Sequence, residues 1–226
     1  MPASDASTGY FDYPRPEVVA LVPASARRVL DIGCASGALG AALKEREPRE
    51  VWGIEINAEV AERARGRLDQ VLVGDALSLG ATLEDGGFDA VVMADSLEHI
   101  ADTRAVLALV RRLLTADGKL IVSLPNVRHW SILRMLLAGD WQYAEAGIMD
   151  STHLRFFTLR SATRTLKDAG FSVEHAEGTK IAATAPEGFL EGLKTVLEAQ
   201  SLNASSLTQE AELYQFLLVC SKAERG

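Results

Sequence analysis

Short apolar runs alternating with stretches of helical period constrain this chain more than any other feature of it. The runs at 28–31, 51–55, 71–73, 88–94 and 119–124 are each bounded by Gly, Asp, Asn or Pro. Strands that are apolar throughout need cover on both faces, which is the situation of a parallel sheet between two layers of helices. Between the runs, 39–46, 58–68 and 103–114 read as helices, with Asn57 and Asp102 placed to cap the last two. Asp117-Gly118 reads as the turn into the fifth strand. The fold class that follows is α/β, a doubly wound, mostly parallel sheet.

After Pro125 the pattern changes. A helix is expected over 129–137, but 138–157 is long, aromatic-bearing and aperiodic, the kind of loop that in a compact domain is functional or disordered. Thr158 can cap a helix running to Ala169, with Gly170 as its stop, and 171–176 and 213–221 read as late strands. A helix over 187–199 would carry Phe189, Leu190, Leu193, Val196 and Leu197 on one face, to pack on its own domain or to form a homodimer. The polar stretch 201–208 is expected to be mobile. With 226 residues, 48% of them hydrophobic, the chain can build one sizeable core. The expectation is a single domain over 1–226, with a lid or acceptor segment at about 126–158 and a helical insertion at about 186–208.

Charge narrows the partners. A net charge of −8 with no basic run argues against nucleic acid, whose phosphates are held by clustered Lys and Arg. Residues 1–8 lack the charged-then-apolar order of a signal peptide, and no apolar stretch approaches the roughly 20 residues of a membrane span, so a cytoplasmic protein without a span is expected. Cys34 and Cys220 are the only cysteines, too few for a disulfide scaffold or a four-thiolate zinc site. Cys34 reads as a small packing residue, since nothing beside it would lower its pKa.

Chemistry concentrates at the ends of the strands. Asp31-Ile32-Gly33-Cys34-Ala35-Ser36-Gly37 follows a strand and opens a helix, where missing side chains let backbone approach a ligand. Glu55 ends the second strand 22 residues after Gly33, on the carboxyl edge where open sheets bind ligands, and can accept from both hydroxyls of a ribose. Asp75 follows the third strand and Asp95 the fourth, so four successive strands end in acids. The bland alternatives are glycines that only permit tight packing and acids that are only solvated.

At these residues the chain resembles the class I S-adenosylmethionine-dependent methyltransferases, whose first motif is an acidic residue followed by Gly-x-Gly-x-Gly. It stands here as Asp31, Gly33, Ala35 and Gly37. Ala35 in place of the middle glycine implies a negative φ there or a slightly wider turn. The resemblance implies a seven-stranded sheet with an antiparallel last strand, S-adenosylmethionine as cofactor and S-adenosylhomocysteine as product. It also implies Gly33 and Gly37 near the cofactor's amino-acid portion, Glu55 on the ribose, Asp75 at the adenine and Asp95 beside the methyl group. Asp31, Ile56 and Ala76 complete that set. A second block, Pro125-Asn126-Val127-Arg128-His129-Trp130 with Asp150-Ser151-Thr152-His153-Leu154-Arg155-Phe156-Phe157-Thr158, resembles bacterial methyltransferases associated with surface-polysaccharide glycosyltransferases.

This points to methylation of a small-molecule acceptor, with the hydroxyl of a sugar or related metabolite preferred. A hydroxyl needs a base, and His99, His129 and His153 fall in segments expected on the cofactor edge. His153 is favoured over His129. The lid would bring His129, Trp141, Tyr143, His153 and Arg155 to one cleft; the competing view makes the aromatics core and His153 a brace. Asp95-Ser96-Leu97-Glu98-His99 also resembles a magnesium-holding pattern of methyltransferases that act on RNA termini or quinone precursors, but the favoured view has no metal, with Glu98 and His99 shaping the next helix and touching substrate. Two other functions stay open: a nicotinamide-dependent oxidoreductase, which shares the glycine turn and ribose acid, and a non-catalytic cofactor-binding interaction module.

Overall fold

The computed structural model describes residues 12–204 and 206–223, so the expectation for 1–8 lies outside the described residues. Seven strands form one sheet: β1 (Arg28–Ile32), β2 (Glu50–Glu55), β3 (Gln70–Val73), β4 (Phe88–Ala94), β5 (Leu114–Pro125), β6 (Phe171–Thr179) and β7 (Gln215–Lys222). Their order is β3-β2-β1-β4-β5-β7-β6. β1 to β5 run parallel, and β7 lies antiparallel between β5 and β6. This is the expected α/β sheet with its antiparallel last strand.

The period of two along each strand feeds two cores. Leu30, Ile32, Val91, Met93, Leu120 and Val122 pack into one with Leu107 and Leu113 of α5 (Thr103–Leu113) and Leu166 of α7 (Leu159–Asp168). Val29, Val51, Ala90, Val92 and Ile121 enter the other, with Val18 of α1 (Pro16–Leu21), Leu43 of α2 (Ala38–Arg46) and Ala64 of α3 (Ala58–Arg65). Burying each such aliphatic side chain contributes about 1.5–3 kcal/mol, so continuous apolar runs are what this position in the fold demands. Among the described residues the remaining helices are α4 (Ala76–Gly80), α6 (Trp130–Leu137), α8 (Phe189–Ala199) and α9 (Leu207–Ala211), with a 3₁₀ turn at Leu97–His99. Among the described residues no helix is long and apolar enough to cross a membrane.

The caps fall where the sequence puts them. Asn57 Oδ1 accepts from the amides of Glu59 and Val60, and Asp102 Oδ1 from that of Ala105. Thr158 and Ser161 cap α7 reciprocally, each side chain accepting from the other's amide. Other boundaries differ. β5 starts at Leu114, not 119: the β4 register jumps from Phe88↔Leu114 to Ala90↔Lys119, so Asp117-Gly118 belongs to a bulge within the strand and not to a turn before it. α3 ends at Arg65, short of 68. The 201–208 stretch leads into α9, with Ala204 and Leu207 buried. α1 and α4, five or six residues each, are too short to show a period and were not expected. α8 has no fully buried residue and leaves Val196 60% exposed, so its apolar face is not absorbed into the core.

The order reverses at β1, whose connections leave to β2 on one side while β4 pairs on the other. At such a switch point the loops diverge and a crevice opens beyond the carboxyl ends of the strands.

Candidate functional site

The turn leaving β1 is held by its neighbour β2. The amides of Gly33 and Cys34 donate to the Ile54 carbonyl at 2.8 and 3.2 Å, and that of Ala35 donates to Glu55 Oε2 at 2.9 Å. Gly33, Ala35 and Gly37 have φ of 82°, 48° and 78°. Of the two alternatives for Ala35, a negative φ or a slightly wider turn, this excludes the first. A left-handed conformation costs a residue with a Cβ about 1–2 kcal/mol, and the charge-assisted bond from Ala35 to Glu55 offsets it. Gly33 tolerates no side chain, since a Cβ there would sit 2.8 Å from Ser96 Cβ. Gly37 does not face the crevice: a Cβ on it would meet Leu68 and Ala64, so its part is close packing of α2 on α3.

Around this turn lies a cavity of about 1500 Å³. Asp31, Gly33, Ala35, Glu55, Ile56, Asp75, Ala76 and Asp95 all line it. Druglike ligands fill pockets of roughly 300–1,000 Å³, so a nucleoside-sized cofactor would leave room for a second molecule. Asp31 is almost fully buried; burial, reinforced by Glu55 and opposed by Arg15, lifts its carboxyl to about 7. Glu55 Oε1 accepts from the Asn57 amide at 2.8 Å, so the carboxylate is oriented from both sides. Asp75 caps α4, accepting from the Ser78 amide and hydroxyl at 2.8 and 2.9 Å, bonds that hold it below its ordinary value.

Asp95, at φ 52°, closes the floor of the cavity in a network that the sequence did not reveal. Its Oδ2 lies 2.5 Å from Arg15 Nη1 and accepts from Gln215 Nε2 at 2.8 Å, while Oδ1 accepts from the Ser123 hydroxyl at 2.8 Å. Arg15 also donates to Ser123 Oγ at 2.9 Å and Glu17 Oε1 at 2.6 Å. Burial works against the guanidinium charge, yet Asp95 and Glu17 more than offset it, so Arg15 titrates above its ordinary value. Nothing in the pattern around Pro14-Arg15-Pro16 marks this role beyond a helix start at Pro16.

The three histidines separate. His99 lines the cavity, its Nδ1 3.1 Å from Thr152 Oγ1 and 3.3 Å from the Thr152 carbonyl oxygen. His129 caps α6, is 1% exposed and bonds through Nδ1 to Ser131 Oγ at 2.8 Å, away from the cavity. His153, favoured from the sequence, sits behind His99 with ring centroids 4.7 Å apart; its Nδ1 donates to the Ile148 carbonyl at 3.1 Å. Burial holds both His129 and His153 below the ordinary value. The single cleft does not form. Trp141 and Tyr143 pack on Phe156, and Arg155 donates to the Ala101 carbonyl. The 138–157 segment is docked through Ile148 and Met149, against Ile132 of α6. Glu145, Ala146 and 150–152 are what it gives the cavity.

Glu98 is fully buried with neither carboxyl oxygen hydrogen-bonded, and burial, then Asp95, raises it well above its ordinary value. Asp95 is not among the donors that gather with Glu98 and His99; its oxygens bond to Arg15, Gln215 and Ser123. Glu98, His99 and His153 do bring one donor atom each to within 4.8 Å of one another. Cys34 is buried beside Asp31 and Glu55, and burial followed by those charges pushes its thiol far up, which fits packing and not nucleophilic attack.

A family model described as a methyltransferase domain matches residues 10–176. An uncharacterized methyltransferase of Mycobacterium tuberculosis is 40% identical over 127 residues, 53% of this chain and 64% of that protein. The chain thus spans less than two thirds of the length of that curated relative. A ubiquinone biosynthesis O-methyltransferase of Neisseria meningitidis is 27% identical over 160 residues, 67% of this chain and 66% of that protein. Among solved structures, a SAM dependent methyltransferase from Archaeoglobus fulgidus superposes with a TM-score of 0.66 at 20% identity, covering 96% of this chain and 100% of that one. A possible histamine N-methyltransferase from Thermotoga maritima gives 0.64 at 22% identity, covering 94% and 89%.

Proposed function

The chain belongs to the methyltransferase domain family, with S-adenosylmethionine as its cofactor, and from that premise we propose that it methylates a hydroxyl of a small-molecule acceptor. The observation that carries this is one cavity shared by the β1 turn, Glu55, Asp75 and His99, with volume beyond what the cofactor needs. When bound, the cofactor supplies a methyl group already activated by its sulfonium.

What remains for the protein is positioning, worth up to about 7–11 kcal/mol in ideal geometry, and proton removal, worth about 10²–10⁴ in rate. In this reading backbone at Gly33 and Ala35 takes the amino-acid end of the cofactor, and Asp31 favours its ammonium group. Glu55 accepts from the ribose hydroxyls, Asp75 with Ala76 borders the adenine, and Ile56 covers it. Asp95, locked by Arg15, Ser123 and Gln215, shapes the floor near the reacting methyl group. His99 accepts the acceptor's proton, as the one of the three candidates that faces the cavity. A hydroxyl acceptor is supported by that imidazole and by a relative named as an O-methyltransferase. A sugar or related metabolite, in the setting of surface-polysaccharide synthesis, is the acceptor class we favour from the 125–130 and 150–158 blocks.

Calorimetric titration with S-adenosylhomocysteine tests the cofactor half. Glu55→Ala, which removes a charged acceptor worth about 1.5–3 kcal/mol, is expected to weaken binding at least about tenfold. Binding of NADH in place of S-adenosylhomocysteine would overturn the reading. Transfer of labelled methyl to a panel of hydroxyl, amine and carboxylate compounds tests the acceptor half.

A further inference from the structure

We propose that Asp150 and Thr152 are positioning residues that hold His99 in the tautomer whose Nε2 carries no proton, an inference that rests on His99 being the proton acceptor. Thr152 Oγ1 lies 2.6 Å from Asp150 Oδ1, and the Thr152 amide donates to the same oxygen at 2.8 Å. An ionised carboxylate only accepts, so the hydroxyl proton lies between those two oxygens. Burial works against the Asp150 charge, but the Thr152 hydrogen bonds and the nearby imidazoles hold this carboxyl below its ordinary value.

With its proton committed, the Thr152 hydroxyl offers His99 Nδ1 only lone pairs, at 3.1 Å. The Thr152 carbonyl oxygen, 3.3 Å from the same nitrogen, is also an acceptor only. Two acceptors facing Nδ1 require a proton there, which leaves the lone pair of the neutral ring on Nε2. The logic is that of a carboxylate orienting a catalytic imidazole, with a threonine inserted between the two. The geometry is braced, because the amides of Leu154 and Arg155 donate to the Glu98 carbonyl at 2.9 and 3.2 Å and so tie the segment to the turn bearing His99. Asp150, Thr152 and His99 all line the cavity. This gives the Asp150-Ser151-Thr152 block a role that core packing does not account for.

The test is NMR of the ¹⁵N-histidine-labelled protein at a pH where the rings are neutral, with His99→Asn assigning the His99 signals. The expected result is a dominant Nδ1–H form for His99, retained in Thr152→Ser. Thr152→Val should shift the tautomer ratio toward Nε2–H by about two- to tenfold, the equivalent of one hydrogen bond of 0.5–1.5 kcal/mol. Asp150→Ala, which frees the Thr152 hydroxyl to donate to Nδ1, should shift it in the same direction. His175, on edge strand β6, reports by unmoved signals that each variant is folded. A dominant Nε2–H form in the unaltered protein, or a ratio unchanged by both Thr152→Val and Asp150→Ala, overturns the proposal. The readout needs neither cofactor nor acceptor, so absence of methyl transfer would defeat the proposed function without mimicking any of these outcomes.

Discussion

Replacing Gly33 by Ala puts a methyl group where the structure has none to spare. The backbone there has φ 82°, and the new Cβ would lie 2.8 Å from Ser96 Cβ, an atom fixed to the backbone beyond β4. The left-handed conformation costs about 1–2 kcal/mol for a residue with a Cβ, and overpacking about 1–3 kcal/mol more, or about 2–5 kcal/mol together. For a chain of this size each kcal/mol lowers Tm by about 2–4 °C, so a loss of about 4–20 °C is expected. Ser96→Gly in the same chain removes the colliding atom but not the φ cost. Urea unfolding of the unaltered protein, both single variants and the double variant isolates the steric part as their coupling, expected at about 1–3 kcal/mol. Coupling below about 0.5 kcal/mol, the level of independent sites, would refute the argument that Gly33 is required by the approach of the Ser96 backbone.

Two further outcomes follow from buried charge. The Asp31 carboxyl is raised to about 7 by burial and Glu55, against about 3.9 in an unfolded chain, so the folded state binds the extra proton between those values. Stability should therefore fall as pH rises from about 4 to about 7, and Asp31→Asn should remove that decline; parallel stability profiles for the two proteins would count against it. Arg15→Ala leaves Asp95 buried without its counter-charge and should cost about 3 kcal/mol in chemical denaturation, the lower end for a buried pair because the guanidinium keeps some exposure. A loss under about 1 kcal/mol would show that Gln215 and Ser123 suffice for Asp95.

Much of the cofactor edge was legible because it depends on local rules. Asp31, Glu55, Asp75 and Asp95 follow strands whose direction is set by the parallel arrangement, so all four reach one edge, and Asn57, Asp102 and Thr158 cap helices through contacts within three residues. The positive φ of Ala35 was not legible because it accompanies a bond to the Glu55 carboxylate, 20 positions away. The choice among histidines was illegible for the same kind of reason. His153 and His99 are neighbours in space, yet only the docking of the 138–157 segment through Ile148 and Met149 turns one toward the cavity and buries the other.

By itself, the sequence determined the layered α/β sheet and the acidic edge bordering the glycine turn, while the antiparallel last strand came only from the family resemblance. The sheet and the edge depend on periodicity and on residues at strand ends. Tertiary structure alone decided that Arg15 locks Asp95, that Gly37 serves packing, and that His99 faces the cavity with Thr152 and Asp150 behind it. Each of these joins segments far apart in the chain, through distances and burial that no local pattern encodes.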